Sequence, residues 1–454
     1  MLILFFIVIT VFLLFDVQRY RNICSPVVVF CCLWAVIVAL ASLGLFEFSG
    51  YSDNALCSVA LGVVGFGLGS LITTRVLDGR VTAERGGVVG VGLEKSNSEH
   101  SSRIGERLIY GVLALVFVGE VLSLANTVMA LIGGASYVQI RGALLGYSDG
   151  QTIETNRLLL AYLTYFCGPA LTALVPVAVT SLFERKRQVF CVGVLACLAM
   201  SIAASGGRIT IIYIVGQLVV AYTFYRDQLT RRTKYVLLVI AGLAILGVAA
   251  LTLLRSASSL GFSAYAYLSI PMGLLSHFIE VVDGAGFRSF GASFLYPLFY
   301  LLNAAMKAIG AGSEFLGDLV YYVGLPQEEW VAGLFPNRVY NAFATMFYYL
   351  YLDFGIVGIP VLSGLFGAFV TFVYRKAFLG REKLAFMWYL LLFQTLLGSF
   401  MIWQPGGTKY FLSMFIFAVL TVSFRRGSAQ KGMSPYKSAR GASPAHTKGI
   451  DGKR

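Results

Sequence analysis

Leu158–Leu182 reads LLLAYLTYFCGPALTALVPVAVTSL, followed at once by Phe183-Glu184-Arg185-Lys186-Arg187-Gln188 and a second apolar run, VFCVGVLACLAMSIAA, over Val189–Ala204. Then come Ser205-Gly206-Gly207-Arg208 and a third run, Ile209–Tyr225, ITIIYIVGQLVVAYTFY. The hydrocarbon core of a bilayer takes about 20 apolar residues per helix. Three successive runs near that size, joined by short polar turns, read as three membrane crossings. They are continuous rather than alternating, which excludes a transmembrane β-barrel. The two turns differ in charge: the first carries three basic residues and the second a single arginine.

The same pattern extends outward. Leu2–Phe15, Pro26–Phe46, Asn54–Ile72 and Leu108–Ile132 precede these runs, and Tyr235–Leu254, Ile356–Tyr374, Leu384–Trp403 and Tyr410–Phe424 follow them. The first lacks a basic leader and a small-residue cleavage site, so it reads as a retained span. Between Arg255 and Phe354, the runs Leu268–Val282, Phe290–Ile309 and Tyr340–Leu352 are interrupted by Gly, Pro and charges. Some are expected to cross, others to lie in the interface or re-enter around a cavity. The expected fold class is all-α, a polytopic integral membrane bundle of about 11–13 transmembrane helices. Residues 1–424 form one transmembrane domain, with 255–354 as a large outer-face region. Residues 425–454, rich in Ser, Gly and Lys, read as a disordered basic cytoplasmic tail that touches anionic headgroups.

Composition sets the class limits. Hydrophobic residues make up 58% of the chain and charged residues 13%, against about 25% charged in an ordinary globular protein. Mean hydropathy is +0.78. A soluble enzyme, a DNA-binding protein and a disordered scaffold are excluded. The net charge of +13 suggests nucleic acid until it is mapped. Of the 35 Lys and Arg residues, 27 fall in alternate connections, 16–25, 73–107, 181–188, 225–235 and 375–384, and in the tail. Basic residues concentrate in cytoplasmic loops. The charge is therefore topology, with the N-terminus outside and the C-terminus cytoplasmic, and no nucleic-acid partner is implied. The seven cysteines lie in or beside apolar runs without a CxxC pair or a histidine at ligand spacing. They read as small buried side chains, and no metal or other cofactor is expected.

The eight cations left on the outer face are Arg141, Arg157, Arg208, Arg255, Arg288, Lys307, Arg338 and Lys409. A guanidinium binds phosphate in a bidentate fork. Arg208 stands out, because a Gly turn at a helix start offers successive N–H groups to an anion. The competing reading is an arginine snorkelling to the membrane edge. Arg141, Arg255 and Arg338 are the other diphosphate-binding candidates; a solvated loop charge or a helix-end snorkel is the plain alternative for each. Arg288 and Arg157 rank below them. For acid–base work, His277, Glu280 and Asp283 follow one another at three-residue spacing and read as one helical face able to take a proton from a sugar hydroxyl. An amphipathic interfacial helix would look the same. Glu314 and Asp318 form a further pair under the same alternative. Outer-face tyrosines, among them Tyr265, Tyr267, Tyr321 and Tyr351, suit both a membrane interface and the apolar faces of sugars. Gly65 and Gly69 form a GxxxG, most simply a close helix contact.

Several stretches resemble one family. Asn337-Arg338-Val339-Tyr340-Asn341-Ala342, then Tyr351-Leu352-Asp353-Phe354-Gly355-Ile356-Val357-Gly358, look like the late region of the O-antigen polymerase (Wzy-type) family, the bacterial oligosaccharide repeat unit polymerases. Ser205-Gly206-Gly207-Arg208 and Ser289-Phe290-Gly291-Ala292 are similar to steps of the same family, as is the order of spans. The Asp-Phe-Gly letters also occur in kinases, but no Gly-rich loop or HRD motif accompanies them. Gly355 is expected to allow a turn and Asp353 to cap the next helix. The resemblance implies a GT-C-like fold and a polyprenyl-diphosphate-dependent glycosyltransferase. It implies a substrate of undecaprenyl-diphosphate-linked glycan in the bacterial cytoplasmic membrane, processed on the outer face, with no metal or nucleotide sugar. Membrane lipid and a separate chain-length regulator are the partners such systems bring. The product would be O-antigen, capsule or another exopolysaccharide. Rival readings are an O-antigen ligase, which shares the leaving group, and a lipid-linked glycan flippase or other transporter. Transporters tend to show internal repeats and mid-membrane charges, of which Glu120 is the candidate here.

Overall fold

The computed structural model describes residues 1–86, 103–135, 139–140, 157–231, 260–341 and 343–429, with isolated helical positions at 235, 239, 242, 246 and 247. Within these the chain is a helical bundle with one small hairpin. In order, the elements are α1 (Leu2–Tyr20), α2 (Pro26–Ser42), α3 (Asp53–Gly86), α4 (Arg103–Ile132) and α5 (Arg157–Phe183, with a π-helical turn at Leu163–Cys167). Next are α6 (Gln188–Ser205), α7 (Arg208–Tyr225), α8 (Leu260–Ala285), α9 (Tyr296–Ala308), α10 (Glu314–Glu328), β1 (Val331–Phe335) and β2 (Arg338–Tyr340). The chain closes with α11 (Thr345–Phe378), α12 (Lys383–Gly398) and α13 (Thr408–Ala429). Eight of these helices are long and apolar enough to cross a membrane, as in a multi-pass membrane protein, and three shorter apolar helices stand beside them. The expected span Tyr235–Leu254 lies mostly outside the described residues, as does the tail beyond Ala429.

The ambiguous middle region takes a specific form. Leu268–Val282 lies inside α8. Phe290–Ile309 is an irregular loop followed by α9, whose start is set by Pro297 at its first turn. Tyr340–Leu352 is split between β2 and the beginning of α11. The hairpin pairs Val331 with Tyr340 and Phe335 with Arg338, antiparallel.

The bundle has two chemically different ends, fixed by contacts between connections far apart in sequence. At one end the Tyr389 hydroxyl donates to the Cys24 carbonyl at 2.6 Å, and Arg375 meets Asp78 at 2.5 Å. Arg381 donates to the Phe224 carbonyl at 3.0 Å, Lys383 pairs with Glu184 at 2.8 Å, and Arg185 reaches Thr230 at 2.8 Å. The connections 21–25, 184–187, 226–231 and 379–382 therefore gather here, and they are the basic ones. At the other end the Leu45 N–H donates to the Tyr265 hydroxyl at 2.9 Å, Ser52 to Ser276 at 2.8 Å, and Trp403 to the Phe294 carbonyl at 3.2 Å. This end collects 43–52, 206–207, 399–407 and the described residues between 286 and 344.

α3 and α11 run parallel through the middle. A side chain on Gly65 would fall on the carbonyl of Pro360, and one on Gly69 on that of Gly364; in return Gly367 faces the Phe66 carbonyl. Only glycine lets two backbones approach this closely. The GxxxG of α3 is thus a packing surface, as its spacing suggests. Phe30 stacks on Phe66 at 4.2 Å, and Trp34 meets Phe347 at 4.6 Å, so aromatic rings fill the space beside the seam.

α11 is two helices. Phe354 (φ −137°) and Gly355 (φ 63°) break it. A side chain on Gly358 would meet the Leu350 carbonyl at 2.6 Å, although eight residues of unbroken helix rise about 12 Å. Residues 345–353 therefore fold back against 356–378. The first segment starts inside the bundle, where the Met346 N–H donates to the Ser399 carbonyl at 2.7 Å and Thr345 to that of Met401 at 3.2 Å. α12 stops at Gly398 at the same place, so two interrupted helices satisfy each other's backbone.

Gly69→Val is expected to destabilise the fold by about 3 kcal/mol, at the upper end of overpacking costs. Gly111→Ala, where nothing lies within 4 Å, should be neutral or mildly stabilising. Thermal unfolding in detergent, followed by size exclusion, checks the pair; equal melting points would refute the seam.

Candidate functional site

Among the described residues, the site candidates sit at the end opposite the basic connections, His277, Glu280 and Asp283 on α8 and Arg208 and Arg338 against it. Phe262, Tyr267, His277 and Asp283 act as four stations on that helix. At the first, the Arg338 guanidinium lies 4.0 Å from the Phe262 ring centroid, exposed on β2. Burial pushes the neighbouring Tyr340 phenol above its ordinary range, and Arg338 opposes that shift. At the second, Arg208 lies over Tyr267 at 5.8 Å.

Arg208 opens α7 directly after Gly206 in a left-handed conformation (φ 62°) and Gly207. The Gly206 N–H is used by the Ile202 carbonyl at 2.8 Å and the Gly207 N–H by the Ser205 hydroxyl at 3.3 Å. These two N–H groups close the preceding helix and are not an anion nest, which corrects that part of the expectation. The guanidinium and the first turn of α7, which carries no side-chain cap, are what this position offers an anion.

The proposed face of His277, Glu280 and Asp283 does not act as one unit. Each three-residue step falls short of a turn by about 60°, so His277 and Asp283 point to different neighbours. His277 Nε2 meets Glu329 Oε1 at 2.8 Å. Asp283 takes Arg288 Nη2 at 2.6 Å, and the Tyr351 hydroxyl donates to both its oxygens at 2.8 and 2.7 Å. Glu280 is exposed and joins neither pair. Arg288, ranked low in the sequence, is the cation brought to a candidate carboxylate. It also lies 5.1 Å from the Tyr351 ring centroid and beside Gly355. Nothing local in the sequence signals this pairing with α11. Arg141 and Arg255 lie outside the described residues.

What places Arg288 is Asp353, which is fully buried. Its carboxylate accepts from the Ser289 hydroxyl at 2.6 Å and from the N–H groups of Gly291, Ser293 and Phe294 at 3.0, 2.9 and 3.0 Å. The Ser289 N–H pairs with the Leu352 carbonyl at 2.9 Å and that of Phe290 with the Asp353 carbonyl at 3.1 Å. Asp353 therefore holds the loop that follows Arg288 and does not cap the helix after it. Gly355 does supply the turn. Two stretches read separately in the sequence, Ser289–Ala292 and Asp353–Gly355, interlock here.

Residues 399–407 lie between the two arginine positions. Met401 Sδ is 3.9 Å from the Tyr267 hydroxyl beneath Arg208, and Trp403 stacks on Phe294 at 4.7 Å in the loop after Arg288. The arrangement is a one-sided floor bearing fixed guanidinium groups and aromatic rings, with Asp283, Glu280 and His277 as proton acceptors nearby. Among the described residues no group of His, Cys, Asp and Glu is placed to hold a metal ion.

Asp353→Asn should cost about 2–4 kcal/mol, because an amide NH2 would face backbone N–H donors in a dry setting. Asp283→Asn breaks a half-exposed ion pair and should cost under about 1 kcal/mol. Denaturation of the two variants tests the ranking, and an equal or reversed order would reject the structural role of Asp353. Comparison with models of protein families, with curated proteins and with solved structures finds no match for this chain.

Proposed function

We propose that the chain polymerises undecaprenyl-diphosphate-linked oligosaccharide repeat units on the outer face of the bacterial cytoplasmic membrane. The observation that carries this reading is the pair of arginines, Arg208 and Arg288, on either side of residues 399–407 at the end away from the basic connections. By the preference of Lys and Arg for cytoplasmic loops, the basic end is cytoplasmic and the arginine floor is outside. A lipid diphosphate anchored in the outer leaflet would present its phosphates at that level.

In the proposed reaction a hydroxyl of the acceptor sugar attacks the anomeric carbon of the donor. The bond from that carbon to the diphosphate oxygen breaks, and the diphosphate leaves with both electrons. Arg288 stabilises that charge as it develops; Arg208, whose Tyr267 station lies about 24 Å along α8 from Asp283, suits the diphosphate of the second lipid-linked unit. Arg288 is held in place by Asp283 and Tyr351, so little reorganisation is needed. The hydroxyl proton passes to a general base: the carboxylate of Asp283, beside Arg288, that of exposed Glu280, or the imidazole of His277, bonded to Glu329. Arg338, further out over Phe262, suits the glycan or the headgroup region. The chemistry asks for no metal or nucleotide. Surface charges gathered at one membrane face favour interfacial transfer over passage through the bundle.

Deleting the gene in its host should replace the surface polysaccharide ladder with a single repeat unit on a gel. Accumulated lipid-linked polymer would instead indicate a ligase, and an unchanged ladder would bring a transporter forward. Complementation with Arg208→Ala or Arg288→Ala should lower polymer formation by about 100-fold or more, the usual loss for one oriented charge stabiliser. Full activity at normal protein level would remove either residue from the mechanism, and full activity in both Glu280→Gln and Asp283→Asn would remove the carboxylates as the proposed base.

A further inference from the structure

Phe290 is a large apolar ring held out of the fold. It is 73% exposed, and its backbone sits in the left-handed region at φ 50°. A bulky residue keeps that conformation only where its surroundings impose it. The Asp353 knot does so here. The Phe290 N–H is fixed on the Asp353 carbonyl at 3.1 Å, and the next N–H groups, from Gly291 and Ser293, are fixed on the carboxylate at 3.0 and 2.9 Å. Glycine would meet the backbone requirement without strain, yet the chain places a phenylalanine there and turns it outward.

Phe290 stands two residues after Arg288. A side chain on Gly291 would meet the ring of Phe354 at 3.6 Å, and Phe354 is itself 47% exposed. Two exposed rings thus belong to the segments that carry and face Arg288. The guanidinium uses one Nη on the Phe287 carbonyl at 2.8 Å and the other on Asp283 at 2.6 Å. Its Nε edge lies beside Gly355, which has no side chain to cover it, and the arginine side chain stays 28% exposed. Beyond the break in α11, Val357, Val361 and Leu365 are exposed at four-residue spacing, which puts them on one face of the helix. That face runs from Arg288 toward the basic end, where Arg375 meets Asp78. Bulk lipid covers exposed apolar faces of any membrane helix, so the stripe by itself names no occupant. Its head does: an accessible guanidinium edge, beside a ring whose exposure is maintained against backbone strain, fits an anion with an apolar chain attached.

We propose that Phe290, Phe354 and the α11 face of Val357, Val361 and Leu365 hold the first isoprenoid units of the lipid whose diphosphate Arg288 takes. The proposal rests on the polymerase reading and names where the chain of the donor lipid lies.

The test uses the full chain in nanodiscs and two probes, inorganic diphosphate and farnesyl diphosphate, a short isoprenoid diphosphate. Partition of the farnesyl chain into the bilayer is common to all variants and cancels between them. Wild type should prefer farnesyl diphosphate. Phe290→Ala should cut that preference about tenfold and Val361→Ser about threefold, with affinity for inorganic diphosphate unchanged. Phe290→Gly should lose the preference as Phe290→Ala does and melt no lower than wild type, because glycine takes the left-handed backbone freely. A ring kept for packing would lower the melting point instead. An equal preference in wild type and variants means that bulk lipid covers the stripe and overturns the proposal, as does a lower melting point for Phe290→Gly; in both cases a wild type that binds inorganic diphosphate leaves the polymerase reading to the gel. A wild type that binds neither probe overturns both.

Discussion

The buried carboxylate of Asp353 organises the end of this bundle that lies away from the basic connections. It accepts one hydroxyl and three backbone N–H groups from a loop some sixty positions earlier in the chain. A carboxylate only accepts hydrogen bonds, so it suits a ring of donors. It sits where α11 is broken, and the break frees the carbonyls of Leu352 and Asp353 to pair with the same loop. Arg288, Phe294 and Trp403 all take their positions from that knot. The acidic residue of the Asp-Phe-Gly step is therefore architectural, and it positions the loop that follows Arg288.

Interrupted helices recur at this end. α12 stops at Gly398, and the first segment of α11 begins beside it with Thr345 at a positive φ of 67°. A β-branched residue adopts that conformation only when its surroundings impose it. Here they do: its N–H meets the Met401 carbonyl, and its hydroxyl takes the N–H of Phe347 at 3.1 Å. Irregular backbone inside a membrane protein is tolerated where other protein groups satisfy it. The broken ends thus let polar chain enter the bundle without exposing peptide groups to lipid.

Much of this could be read from the sequence, and the unread part has a physical cause. Apolar runs and alternating basic connections depend on local composition, so the helices and the collection of basic turns at one end were legible. The glycine pair at Gly65 and Gly69 announced a close contact, though not its partner. The Asp353 knot and the approach of Arg288 to Tyr351 depend on residues some sixty positions apart in sequence, while the Arg288–Asp283 pair and the return of α11 form where a helix ends or breaks. Periodicity carries no trace of them. The proposed face on α8 failed for a simpler reason: a spacing of three drifts around the helix, and over two steps it separates side chains that one step would keep together.

The parallel seam of α3 and α11 also constrains how the protein is made. Ser70 and Thr371 share a hydrogen bond across 301 positions of chain. The glycine face of α3 is synthesised early, and its partner arrives only after most of the molecule has entered the membrane. Contacts this distant are slow to form and leave early segments waiting. α3 must therefore remain in the bilayer with a narrow, small-residue groove facing lipid or a temporary neighbour. Assembly of the arginine-bearing end then follows closure of that groove, because the chain that completes the seam continues from the one that carries Asp353.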